Sequence, residues 1–229
     1  MIRVDGKAFH SFLRHAEKPF DQEFIDAMAW TAETVSKQMS GFKLAFTQSD
    51  ECTFVITDYD QHQTQGWFDY SLNKIVSVTA SMFTAHFNNA YENDIATEAA
   101  YIAGKLRPMG IFDARAFVIP VPDVPNVFVW RQRDWERNSI QMLARAHFSH
   151  KECYGKKIPD LHEMLYTKGV NWATDCTEQQ KNGTFIPHRA EFIHDKLSYD
   201  AIAALIAPKV ESKPEVIEAT DGVIRGPGL

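Results

Sequence analysis

Apolar residues fall three and four apart in two long stretches of this chain and crowd into short unbroken runs between them. After Asp21, the positions Phe24, Ile25, Met28, Ala29, Ala32 and Val35 share one helical face, and Ser40-Gly41 marks the end of that helix. From Trp67 to about Asn89 the same spacing returns in Tyr70, Leu72, Ile75, Val76, Val78, Met82 and Phe83, which predicts a second helix. Short runs at Ile2 to Val4, Lys43 to Gln48, Cys52 to Thr57 and Arg115 to Ile119 read as strands, the middle two pairing as a hairpin around Ser49-Asp50-Glu51. The order strand, helix, strand, strand, helix, strand predicts an α+β, ferredoxin-like fold: an antiparallel sheet with both helices on one face.

The second half of the chain reads differently. Val127 to Trp130 is a further strand or edge segment, followed by a helix from about Arg131 to His150 and another from Asp160 to Thr167 with Pro159 in its first turn. An Ala-rich helix is expected near Tyr199 to Ala207, and the last fifteen or so residues are expected to be mobile from their composition and terminal position. No repeat of fixed period is visible. The chain therefore divides into a sheet-containing core over 1–130 and a helical region over 131–229, packed on that core as one domain.

Composition narrows the function classes. A length of 229 residues with 45% hydrophobic content suffices for one large core. Cys52, Cys153 and Cys176 form no CxxC pair and are too scattered for a disulfide framework, so a reducing, cytoplasmic setting is expected. No signal pattern or membrane-length apolar run is present. A net charge of −6 argues against a protein that coats nucleic acid by bulk electrostatics. Locally the sign reverses: Arg131, Arg133, Arg137, Arg145, Lys151, Lys156 and Lys157 outnumber Asp134, Glu136 and Glu152, a patch where a polyanion could dock.

The candidate chemistry lies at strand ends. Asp5 closes the first strand, and Asp50 and Glu51 occupy the hairpin that a ferredoxin-like sheet sets beside it. Crowded carboxylates raise one another's pKa unless a cation neutralises them. Oxygen-only donors favour Mg²⁺, and two such ions about 3.5–4 Å apart serve phosphoryl chemistry. Asp-Gly and Ser-Asp-Glu are also ordinary turn sequences, so each acid alone carries little weight.

Seven blocks in order change that weight: IRVDGKAFHSF, KPFD, FTQSDECTFV, WFDYSLNKIVSVTASMFTAHFN, FDARAFVIP, WRQRDWERNSIQMLARAHFSHK and GVNW. Together they resemble the histidine-tRNA guanylyltransferase-like family of 3′-to-5′ nucleotidyltransferases, over Ile2 to about Ile186. The resemblance implies a polymerase-like palm over 1–130 and an RNA-facing helical region beyond it. It implies Asp5 and Asp50 as metal ligands with the Gly6 carbonyl, and Glu51 as an adjacent acid important to activity. Arg3, Lys18 and Ser49 would contact a nucleoside triphosphate such as GTP or ATP, with Lys74 and Arg115 as further cations near the site. Arg131, Arg137, Asn138 and Lys151 are the candidate RNA contacts, and the family suggests a homotetramer built as a dimer of dimers.

Two departures refine the reading. Where family members that mark eukaryotic histidine tRNA carry His-Ile-Asn-Asn, this chain has Glu136-Arg137-Asn138-Ser139. That resembles the like-protein branch of bacteria, archaea and viruses, which implies templated repair of 5′-truncated tRNA. The family also usually carries a longer segment before its first metal aspartate, leaving open a shortened variant, a different RNA substrate or a misassigned start codon. A catalytically idle RNA- or nucleotide-binding palm and a palm-fold nucleotide cyclase remain alternatives. Among weaker patterns, His147, His150 and Cys153 recur every three residues without an evident fourth zinc ligand. Trp67, Trp130, Trp135 and Trp172 could stack bases or fill a core. No GxxxxGK[ST], GxSxG or CxxC motif is present.

Overall fold

The computed structural model describes residues 1–60, 63–91, 102–103 and 108–208. Strand β1 (Ile2–Gly6) leads through short turns at Phe9–Phe12 and Leu13–His15 to helix α1 (Gln22–Ser36), capped by the Asp21 carboxylate accepting from Phe24 N–H at 2.8 Å. Strands β2 (Phe42–Gln48) and β3 (Glu51–Ile56) form the hairpin, helix α2 (Leu72–Ala90) follows, and β4 (Phe112–Ala116) returns to the sheet. Helix α3 (Val124–His147), helix α4 (Ile158–Tyr166), strand β5 (Thr184–Pro187) and helix α5 (Tyr199–Ile206) complete the fold.

The five strands run β4-β1-β3-β2-β5, every neighbouring pair antiparallel. The first four reproduce the ferredoxin-like order, and β5 extends it past β2. Because side chains alternate along a strand, the sheet has two distinct faces. On one, Ile2, Val4, Ala45, Cys52 and Phe54 pack against Phe24, Met28 and Ala32 of α1 and Ile75, Phe83 and Phe87 of α2. On the other, Leu44, Phe46, Val55 and Phe185 pack against Val124 and Phe128 of α3 and Ile202 and Ile206 of α5. A third apolar cluster joins Trp135, Ile140 and Leu143 of α3 to Leu161 and Leu165 of α4.

Coverage of the second face is therefore uneven. Over β2 and β5 it is sealed, and every residue of β2 is buried. Toward β1 and β4 the same face presents Arg3, Asp5, Asp113 and Arg115, with Asp113 and Arg115 exposed. The site lies on this open half.

Several expectations change. Val127 to Trp130 is not a strand but the first part of α3, which opens with Pro125 in its first turn. Val-Phe-Val-Trp is rich in strand-forming types, yet Val124, Phe128, Arg131 and Trp135 share a helical face and all four are buried. The fourth strand lies three residues earlier than Arg115 to Ile119, at Phe112–Ala116, held by the pairs Gly6↔Phe112 and Asp5↔Asp113. The helix expected from Trp67 begins instead at Leu72, after a 3-10 turn over Trp67–Tyr70 whose Phe68 and Asp69 adopt left-handed backbone conformations. The helix expected to reach His150 stops at His147, and a capping box of Ser149 and Glu152 starts a separate turn, His150–Cys153. Strand β5 had no counterpart in the sequence reading, and the mobile tail expected at the C-terminus lies outside the described residues.

Candidate active site

Strand pairing assembles the acids. Asp5 stands directly opposite Glu51 on β3 and Asp113 on β4, and the Gly6 N–H donates to the Asp50 carbonyl at 3.0 Å. Asp50 and Ser49 make the turn between Gln48 and Glu51. Ser49 sits there with φ +48°, a conformation glycine adopts more cheaply, and its hydroxyl donates to Asp50 Oδ1 at 3.0 Å. Gly6 is required as well, because a Cβ there would lie 2.3 Å from the Phe9 ring.

Burial raises the pKa of Asp50 above the usual carboxylate range. Hydrogen bonds from its own backbone and from Ser49 oppose the shift, and the nearby charge of Asp5 adds to it. Glu51 is also raised, first by burial and further by Asp5, against the pull of Arg131 and Arg3. Its two oxygens are already engaged: Oε1 lies 3.4 Å from Arg3 Nε, and Oε2 accepts from Arg131 Nη2 at 2.7 Å. Only 15% of the Glu51 side chain is exposed, against 40% for Asp5, so the two paired acids have different access to a ligand. Arg115 flanks the open side, its Nη2 3.7 Å from Asp5 Oδ2 and 3.3 Å from Asp113.

These groups suit a hard, oxygen-seeking cation. Asp5 and Asp50 supply two carboxylates from neighbouring backbone positions, burial and like charge work against the Asp50 anion, and Glu51 is paired with two arginines. That matches a Mg²⁺ site in which one or two carboxylates share the ion with water and phosphate. Among the described residues, no group of three or more His, Cys, Asp and Glu side chains is placed to hold a metal ion, so protein carboxylates would supply at most two of the ligands. His147 ends α3 while His150 and Cys153 belong to the next turn, so the three do not share one helical face.

The remaining expected residues divide. Lys18 lies in the loop between β1 and α1, at the carboxylate end of the sheet, with its ammonium donating to the Leu13 carbonyl at 3.1 Å. Lys74 is not brought to the site. It lies in the first turn of α2, where Leu72 and Ile75 line an apolar cavity of about 730 Å³ with Ile2, Ile56 and Ala116, at the opposite end of the strands. Arg137 and Asn138 are exposed on α3 and both reach Asp134, at 2.6 and 3.4 Å, and Lys151 is exposed in the turn beyond.

Arg131, expected on the RNA-facing surface, is buried instead. Its guanidinium also binds Asp134 Oδ2 at 3.1 Å and lies 5.0 Å from the centre of the exposed Trp130 ring. Gln48, with its amide oriented to satisfy both ends, donates to the Arg131 carbonyl at 3.0 Å and accepts from Arg131 Nε at 3.0 Å and from Nη2. The sequence reading missed this internal role. The signal was present, since Arg131 falls three residues after Phe128 and four before Trp135 on the inward stripe of α3.

Residues 1–120 match the Thg1 family, described as tRNAHis guanylyltransferase. Among solved structures, a bacterial tRNA(His) guanylyltransferase-like protein is similar in its complexes with ATP (35% identity, TM-score 0.79, 90% of this chain and 89% of that one) and with GTP (32% identity, TM-score 0.72, 90% and 88%). The tRNA(His) guanylyltransferase of Debaryomyces hansenii is 26% identical over 85% of this chain and 75% of its own. An uncharacterized protein of Acanthamoeba polyphaga mimivirus is 30% identical over 64% of this chain, and the match spans 55% of the viral protein's length. Among the described residues, no helix is long and apolar enough to cross a membrane.

Proposed function

The chain belongs to the tRNAHis guanylyltransferase (Thg1) family of nucleotidyltransferases, and from that membership we propose that it extends RNA 5′ ends in the 3′-to-5′ direction, restoring 5′-truncated tRNA against its template strand. The observation that carries the proposal is the strand register that sets Asp5 beside the Asp50 turn on the uncovered half of the sheet. Nucleoside triphosphates such as ATP or GTP are the activating and extending substrates. The RNA 5′-phosphate first attacks the α-phosphorus of one triphosphate and releases pyrophosphate; the 3′-hydroxyl of the incoming nucleotide then attacks the RNA's own 5′ phosphorus, losing its proton to solvent and expelling the nucleoside monophosphate.

A pair of Mg²⁺ ions held by Asp5, Asp50 and the Gly6 carbonyl would steady the attacking and leaving oxygens. The chain's own groups orient the rest. Arg115 and Arg3 place positive charge where polyphosphate oxygens gather, the Ser49 hydroxyl stands next to Asp50, and Lys18 lies within the loop at the same end of the sheet. Arg137, Asn138 and Lys151 supply the exposed polar face for RNA, in a homotetramer, a dimer of dimers, working in the cytoplasm. The sequence Glu136-Arg137-Asn138-Ser139, in place of His-Ile-Asn-Asn, favours repair over marking of histidine tRNA.

Incubation with labelled nucleoside triphosphates and a tRNA lacking its first 5′ nucleotide tests the proposal. The expected product is longer by the base complementary to its 3′ partner, and extension stops when pairing is complete. Extension at the 3′ end, or regardless of the opposing base, overturns the direction and templating. RNA binding without any product points to an idle palm, and a cyclic nucleotide points to a cyclase.

A further inference from the structure

We propose that Arg131 is a positioning residue of the transfer site, fastening the Ser49–Asp50 turn to α3 through Gln48 and holding Glu51, which in turn holds Arg3. The inference rests on reading the Asp5–Asp50 cluster as the place of transfer. Its basis is the number of bonds one buried guanidinium makes: Glu51 Oε2 at 2.7 Å, Asp134 Oδ2 at 3.1 Å and the Gln48 amide. Only 10% of the Arg131 side chain is exposed, so the fork is committed inward. Gln48 is itself 5% exposed and is the last residue of β2 before the turn.

Stability alone gives a weak reason for such an arrangement, because well-packed apolar residues often replace a buried ion pair at no loss. Geometry gives a stronger one. The turn carries Ser49 at positive φ, a conformation that persists where its surroundings over-determine it, and the guanidinium of Arg131 binds the residues on both sides of that turn. On the far side of Glu51, Arg3 lies 3.4 Å from Oε1 and donates to the Thr53 hydroxyl at 3.4 Å, so the position of one arginine is passed to the other. A planar fork serves this purpose, and an ammonium does not.

Arg131→Lys keeps the charge and the buried stem while removing the fork. The expected result is a folded protein whose kcat for nucleotide addition falls roughly 10- to 100-fold, with KM for the triphosphate changed by less than about threefold. Gln48→Leu leaves the Arg131–Glu51 pair in place and should lower kcat in the same way, and the double variant should lose no more than the worse single one. Amide exchange at Gly6, whose N–H binds Asp50, should quicken about tenfold or more in either variant, with global protection unchanged. That readout needs no activity. Unchanged Gly6 exchange, a wild-type kcat in a folded variant, or losses that multiply in the double variant would each overturn the inference. A wild-type protein inactive on every RNA tried, with Gly6 exchange nonetheless responding, would instead count against the transfer reading alone. Should Arg131→Lys not fold, Gln48→Leu carries the same kcat and exchange expectations.

Discussion

Asp5 and Glu51 face one another across β1 and β3, yet their carboxylates meet different surroundings: Asp5 opens toward Arg115 and solvent, while Glu51 is closed between Arg3 and Arg131. Two acids that look alike in sequence thus sit in different electrostatic surroundings, set by the arginines around them. In the proposed site Asp5 and Asp50 would hold the cation, and Glu51 the floor beneath it.

Replacing either proposed ligand should separate activity from folding. Asp5→Ala and Asp50→Asn should each reduce nucleotide addition by about 100-fold or more, because a lost ligand removes charge stabilisation where charge develops. Asp50→Asn should melt no lower than the wild type in metal-free buffer, since burial and Asp5 both work against the Asp50 charge. Near-normal turnover of both variants at saturating Mg²⁺ would rule out the assignment.

The aromatic cluster behind the site should dominate stability. Phe87 is fully buried, with ring centres 5.6 Å from Phe9, 5.9 Å from Phe24 and 5.1 Å from Phe112. Phe87→Ala should cost about 3–5 kcal/mol in urea unfolding. A loss near that of an exposed site would mean that the cluster does not anchor the segment after β1.

On the RNA side, Arg137→Ala and Lys151→Ala should each flatten the log-log salt dependence of RNA binding by about 0.7–0.9. Lys151→Ala should leave triphosphate binding unaltered. An unchanged slope in the double variant would remove α3 and the following turn as the phosphate-binding surface.

Acid should loosen the capping turns before it unfolds the core. Glu152 is held below the usual carboxylate range first by the Ser149 hydroxyl, Asp175 by the Asn171 N–H, and Glu178 by Lys181. Because these pKa values are depressed on folding, their contribution is complete above the ordinary carboxylate range and is lost as pH falls through the lowered folded values. Amide protection factors, each taken against the intrinsic exchange rate at the same pH, should therefore fall at His150–Cys153, Trp172–Asp175 and Glu178–Asn182 on acidification ahead of global unfolding. Ser149→Ala should move the first of these responses to higher pH. Identical protection factors in all three turns at neutral and acid pH would contradict the capping account.

Much of this was legible in the chain itself. The spacing of Phe24, Met28 and Ala32 and the runs ending near Asp5 and Asp50 were enough to place two acids at one end of the strands, because ferredoxin-like order leaves few ways to arrange them. Val127 to Trp130 misled because a short apolar run has no period of its own, and only Phe128 and Trp135 read together reveal the helix. Thr184–Pro187 is too brief, and too close to a proline, to announce a strand. Arg131 was misjudged for a different reason: a charge in a basic stretch was taken for surface, when its partners, Gln48 and Glu51, lie some eighty residues away in sequence.

Asp134 accepts from buried Arg131 and from exposed Arg137 and Asn138. Arg137 and Asn138 can be replaced without leaving a buried charge unpaired, since solvent can replace what they lose. Position 134 has no such latitude. Losing its carboxylate would strip an anion from a guanidinium that water scarcely reaches, so a change there should appear only together with a change at 131.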